Sequence, residues 1–293
     1  MTRLALLALL AACSSRPSGP PIEVIAGDTS AAWIDVIEHA KTRIEIEAAQ
    51  LADSPIIGAL EQAAHRDVSV QIVVEKSRMT RDADVLARLM RSGVRLRNLD
   101  LGTQDGTVNA TYVVADGGDA VIGGADAELG ARVRDAAIGG QLRAVFGTDW
   151  AIAGTESPPA MTTIATALPV ALVAEGEEAA LLALIAGATQ RLAVALPSAP
   201  DGGPLVDALA AARARHVEVR VLLGSGALGD GTRHAAVRTC VVLVDASRAW
   251  FGTGDWDPGA LAHARNVGLT LADPELVAQV ARVFDARWAT AAR

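Results

Sequence analysis

Lysine is nearly absent from this chain: only Lys41 and Lys76 stand among 26 basic residues in 293 positions. Aromatic residues make up 3%, no basic run occurs, and the formal net charge is −8. An acidic surface repels phosphate backbones, and without interleaved aromatics there is no stacking platform. No nucleic-acid partner is expected. Cysteine occurs twice, at Cys13 and Cys240, too few for a disulfide framework. No apolar run is long enough to cross a bilayer in a mature protein. Gly117-Gly118 and Gly123-Gly124 are too short and wrongly placed for a dinucleotide fingerprint, and read as turns. No cofactor and no metal site is implied. What remains is a chain that is 51% apolar, with a mean hydropathy of +0.30, enough to bury a sizeable core.

The first residues carry a local signal. Arg3 precedes an apolar run from Leu4 to Ala12, the charged-then-apolar layout of a secretory signal. Leu10-Ala11-Ala12-Cys13 resembles a bacterial lipobox. That resemblance implies cleavage before Cys13 and attachment of lipid to its sulfur, leaving Cys240 without a partner thiol. It further implies a cell-envelope location, with Ser14 after the cysteine favouring the outer membrane facing the periplasm. Residues 13–21, including the Ser/Pro/Gly run SSRPSGPP, read as a tether that spaces a domain off the membrane.

The rest of the chain repeats itself. Pro21–Ala26 recurs as Pro169–Ala174, and Arg43-Ile-Glu-Ile as Arg191-Leu-Ala-Val, both at an offset of 148. Pro55–Leu60 then lies on Pro204–Leu209, and Val68–Val74 on Val217–Leu223, one residue later. Phe146-Gly-Thr-Asp-Trp150 matches Phe284-Asp-Ala-Arg-Trp288 near the ends. Within each unit the pattern alternates strand and helix. Trp33, Ile34 and Ile37 mark the apolar face of a helix, and 68–74 is a continuous apolar run typical of a strand covered on both faces. These features predict an α/β fold of two tandem units, each a mixed sheet flanked by helices and related by a pseudo-twofold. The boundaries are 22–151 for lobe 1, 152–162 for a linker and 163–293 for lobe 2, after a signal at 1–12. Lobe 1 carries about twenty additional residues, read as a helix near 80–92 and a strand at 94–98.

Both units then share a finer pattern. Val108-Asn-Ala-Thr-Tyr-Val-Val-Ala-Asp116 is followed by Gly123-Gly-Ala-Asp126, and Val237-Arg-Thr-Cys-Val-Val-Leu-Val-Asp245 by Gly252-Thr-Gly-Asp255. This resembles the phospholipase D superfamily, whose repeat carries His-x-Lys-x(4)-Asp and then Gly-Ser-x-Asn. The resemblance implies a site in which one histidine attacks phosphorus, the other protonates the leaving oxygen, and two lysines clamp the phosphate. Here the histidine slots hold Asn109 and Arg238, and the lysine slots hold Thr111 and Cys240. Asp116 and Asp245 remain; Asp126 and Asp255 fill the asparagine slots, and Asn266 stands where the family has a later glutamate. Asparagine cannot form a phosphohistidine, and arginine is no acid near neutral pH.

Substitutes are few. His234 lies four residues before Arg238; on one strand the two would share a face roughly 13 Å apart, so His234 does not fill the slot. It otherwise reads as a partly exposed loop histidine. Cys240 reads as a nucleophile or as a small hydrophobe in an apolar strand, the second being favoured. Arg238 is the best remnant of phosphate affinity, while Asp126 and Asp255 read as a cation or amine site or as hydrogen-bonded loop carboxylates. Three functions follow. The favoured one is a membrane-anchored binding or scaffold module without catalysis. The others are a phosphodiesterase or phosphatidyltransferase using unconventional residues, and a nuclease. Because two repeats of this family build one site within a chain, a monomer is expected; the ligand is not identified.

Overall fold

In the computed structural model the described residues are 19–49, 51, 54–102, 107–159, 167–174, 176–254, 256–257, 261 and 263–292. The signal segment, Cys13 and Asp255 therefore lie outside the described residues.

Lobe 1 runs β1 (Ile22–Ala26), α1 (Ser30–His39), β2 (Arg43–Ala48), α2 (Pro55–His65), β3 (Ser69–Glu75), α3 (Arg78–Arg81), α4 (Ala83–Arg91), β4 (Arg95–Leu99), β5 (Tyr112–Ala115), β6 (Asp119–Ile122), β7 (Leu129–Val133) and α5 (Ala136–Ala153). Lobe 2 runs β8 (Val170–Val173), α6 (Glu177–Ala186), β9 (Arg191–Leu196), α7 (Pro204–Ala214), β10 (Glu218–Leu223), β11 (Thr232–His234), β12 (Cys240–Val244), β13 (Arg248–Gly252), β14 (Gly268–Leu271) and α8 (Pro274–Thr290). The sheets have the orders β1-β7-β6-β5-β2-β3-β4 and β8-β14-β13-β12-β9-β10-β11, the same path twice. β2, β3 and β4 are parallel, as are β9, β10 and β11, and the remaining pairs are antiparallel. The mixed α/β duplication read from the sequence is the observed architecture.

Local chemistry explains the repeated boundaries. Pro55 and Pro204 open α2 and α7 at a position where the missing N–H costs nothing. Asp135 and Asp273 cap α5 and α8, each carboxylate accepting from two backbone N–H groups of the first turn. Gly139 brings α5 onto the β5–β6 turn; a Cβ there would lie 2.4 Å from the Cα of Gly118.

Asp116 and Asp245 sit after β5 and β12 in the left-handed region, at φ of 41° and 50°. Asp116 accepts from the backbone N–H groups of Lys41, Thr42 and Arg43 and from the Thr42 hydroxyl. Asp245 accepts from those of Thr189, Gln190 and Arg191 and from the Thr189 hydroxyl. These carboxylates tie the start of the second strand to the end of the central hairpin strand. Burial pushes both upward, but the summed hydrogen bonds outweigh it, lowering Asp116 and holding Asp245 at about 2. Asp245→Ala orphans three N–H groups and is expected to cost about 1–2 kcal/mol, as for a lost helix cap. A urea midpoint unchanged from wild type would contradict that role.

Three apolar clusters define the layers. One lies between α1, α2, α4 and the outer face of the first sheet, and another between α6, α7 and the outer face of the second. The third is shared: Tyr112, Val114 and Phe146 from lobe 1 pack in the same cluster as Phe251, Leu269 and Phe284 from lobe 2. The two sheets thus enclose one central layer containing α5 and α8.

Some details differ from the sequence reading. The strand near 94–98 is no addition of lobe 1, since β11 occupies the equivalent edge of lobe 2. The addition amounts to α3 and α4. α5 continues to Ala153, inside the segment expected as linker. Pro20 and Pro21, expected in the tether, are held by Arg134, whose side chain and backbone N–H donate to their carbonyls.

Candidate functional site

A cavity of about 660 Å³ opens where the C-terminal ends of β2 and β6 meet the segments preceding β5 and β12. Asn109, Thr111, Gly124, Asp126, Arg238 and Thr253 line it together, with Trp33, Ile56 and Phe251 supplying apolar walls. Six of the expected motif positions, counting the two serine slots, therefore converge. Asp116 and Asp245 lie at the far ends of their strands and act on backbone amides. Cys240 does not line the cavity; it is 1% exposed in the outer core of lobe 2, and its thiol donates to the Gly254 carbonyl.

The side chains at the motif positions are engaged with their neighbours. Asn109 donates from Nδ2 to Asn266 Oδ1 at 3.1 Å, across the two lobes. The Thr111 hydroxyl donates to the Asn109 carbonyl and accepts from the Ala49 N–H. Arg238 Nη1 donates to the Asp126 carbonyl at 2.9 Å and pairs with its carboxylate at 3.2 Å. The Arg238 backbone N–H donates to Glu128, which also faces Arg287. Asp126, read as a cation ligand or a locally bonded loop carboxylate, is one half of a cross-lobe ion pair. Arg238, read as an anion clamp, is the other half. His234, itself exposed, is on β11, the last strand of its sheet, paired in parallel with β10 and bridged to Ala292, so no shared strand relates it to Arg238.

The weld between lobes was not legible as a site. Val108 and Arg265 form a parallel β-bridge, in which the Asn109 and Ala110 N–H groups donate to the Arg265 carbonyl. From there the Arg265 guanidinium reaches into lobe 1 and donates to Asp149 Oδ1 at 2.7 Å; Asp149 is 0% exposed. Glu47, also wholly buried, accepts the Tyr112 hydroxyl at 2.9 Å. Burial, and then the charge of Asp149, push Glu47 well above the usual carboxylate range.

The two lobes differ at the mouth. Eight residues separate the paired Ile122 and Ala131 of β6 and β7, whereas seventeen separate Phe251 and Leu269 of β13 and β14. From that longer loop Trp256 and Leu261 are buried in the outer core of lobe 2. Beside them lies a smaller cavity of about 260 Å³, lined by Glu177, His263, Arg265 and Asn266. Glu177 is 4% exposed, and neither of its oxygens finds a hydrogen-bond partner. Burial pushes its pKa up to about 7, only partly offset by the nearby Asn266 amide. Sequence reasoning missed this residue; its one signal was alignment with Thr29 at the repeat offset of 148.

Residues 33–150 match the family model described as cardiolipin synthase, PLD-like domain. Among solved structures, the chain resembles a phosphatidylserine synthase from Haemophilus influenzae Rd KW20 with a TM-score of 0.66 at 12% identity, covering 90% of this chain and 85% of that one. It resembles a polyphosphate kinase from Porphyromonas gingivalis with the same TM-score at 15% identity, covering 91% of this chain but only 47% of the kinase. No protein of curated function matches the chain by sequence. At such identities the likeness is one of fold.

Proposed function

We propose that the chain is a catalytically silent member of the phospholipase D superfamily, tethered to the cell envelope through Cys13, whose open cavity binds a ligand without turning it over; the domain match over residues 33–150 and the likeness of fold support the superfamily reading. The observation that carries this reading is the cross-lobe amide pair of Asn109 and Asn266 at the place where a nucleophilic imidazole is required. An amide can hold a phosphate oxygen but cannot accept a phosphoryl group and release it. Arg238 is paired with Asp126, and the Cys240 thiol is buried behind the strand. The phosphodiesterase, phosphatidyltransferase and nuclease readings of this family need a nucleophilic imidazole, and no histidine stands among the described residues that line the cavity.

The test is turnover of a chromogenic phosphodiester and of phospholipid vesicles by the full chain in detergent. An Asn109→His, Thr111→Lys, Arg238→His variant is assayed beside it. No turnover is expected from the native protein. Turnover that persists through repurification and disappears in Asn109→Ala would overturn the reading. Cys240 is left out of the rebuilt variant, because a lysine there would bury an ammonium in the outer core of lobe 2.

A further inference from the structure

We propose that the smaller cavity in lobe 2 is a second ligand site, taking a small organic amine whose primary ammonium pairs with Glu177. Glu177 is the first residue of α6 and is 4% exposed, yet neither of its oxygens meets a donor in good hydrogen-bond geometry, the Asn266 amide being the one nearby group that offsets its burial. A buried carboxylate is normally paired, because leaving it alone in a low-dielectric interior is costly. Among the described residues no cation pairs with it: the Arg265 guanidinium, which borders the same cavity, is committed to Asp149.

The fold does not require an acid here. The equivalent residue of lobe 1, Thr29, uses a hydroxyl to reach the Gly124 carbonyl and is satisfied. In lobe 2 the carboxylate replaces that hydroxyl, and glycine opposite makes room for it: a Cβ on Gly254 would lie 3.0 Å from Glu177 Oε2. An uncompensated charge set before a cavity is the arrangement a cationic ligand completes.

Size and lining favour an amine over a bare metal ion. Among the described residues no group of three His, Cys, Asp or Glu side chains could hold a metal. The cavity, at about 260 Å³, has room for several heavy atoms, since one water occupies roughly 30 Å³ in the liquid. Glu177 accepts from the ammonium, Asn266 and His263 border its remaining N–H donors, and Leu101, Ala174 and Leu261 offer a short apolar wall. One negative charge matches one positive charge. Protons compete for the same carboxylate, so binding should strengthen as pH rises from 6 to 8.

Propylamine hydrochloride is the probe, titrated into the full chain at pH 7.5 and constant ionic strength while the thermal midpoint is followed. Propanol, tetramethylammonium chloride and potassium chloride serve as controls. A saturable rise is expected with propylamine alone, reaching about 5–10 °C at a hundredfold excess over Kd. Glu177→Gln, which removes a buried charge and so should fold, is expected to abolish the rise. A rise of equal size in Glu177→Gln, with potassium or with propanol, or no saturable rise at all, overturns the proposal. The outcome is independent of the larger cavity, which is probed by the phosphodiester assay.

Discussion

Arg265→Met is expected to destabilise the protein by about 3–5 kcal/mol, the usual penalty for removing one partner of a buried ion pair. The guanidinium lies 2.7 Å from an oxygen of the wholly buried Asp149. Glu47 is close enough for its protonation to depend on Asp149. Without Arg265, the buried Asp149 carboxylate in the central layer loses its ion-pair partner. The backbone of the same residue bridges to Val108, so the loss falls on the junction of the lobes. Denaturant unfolding should show a lower midpoint and, if the lobes separate, a second transition. The double variant Arg265→Met, Asp149→Leu is expected to recover most of the loss, because an apolar pair of similar volume leaves no charge behind. If the single variant keeps its stability within 1 kcal/mol, the pair is not what holds the lobes together.

Glu177→Gln is expected to act in the opposite direction. Its carboxyl is raised from 4.5 to about 7 by burial, so the folded protein holds that proton more tightly than the unfolded chain does. The stabilisation this gives is complete below about pH 4.5 and disappears as pH rises through 7. Two and a half units correspond to about 3 kcal/mol. In amine-free buffer, therefore, wild type should lose about that much stability between pH 4.5 and pH 8 from this group alone. Glu177→Gln should be flatter across the same window and more stable than wild type at pH 8. Equal slopes for the two proteins would show that Glu177 is solvated or paired, and would remove the basis of the electrostatic argument.

The duplication was legible because it is written in short-range chemistry. Arg43 and Arg191 each begin a strand whose apolar residues follow at once, Pro55 and Pro204 each open a helix, and Asp116 and Asp245 each close a hairpin strand. Such signals survive in one dimension. The place of β11 was not legible, for Thr232-Arg-His is polar and short, and only its edge position beside β10 makes it a strand. The Asn109–Asn266 contact joins residues 157 positions apart, and neither belongs to a periodic pattern. Glu177 was hidden for another reason. An acidic residue in the first turn of a helix reads as a surface group that complements the helix dipole. In the fold it is enclosed, with Gly254 against its carboxylate and Asn266 beside it. The ion pair of Arg238 with Asp126 follows from the same cause: the family frame placed both at the centre, but only the approach of the lobes shows them facing each other.

The long β13–β14 loop has a consequence for what the molecule can recognise. A duplicated site with two equal halves reads a ligand equally from either end, as a palindrome does. Here the β6–β7 loop of lobe 1 is short, while from the longer β13–β14 loop of lobe 2 Trp256 and Leu261 are drawn into the core. A ligand in the larger cavity meets Trp33 and Asn109 on one side and the shoulder of Arg238 and Thr253 on the other. If the proposed ligand occupies this cavity, its two ends should be told apart, so that an asymmetric molecule is expected to enter in one orientation.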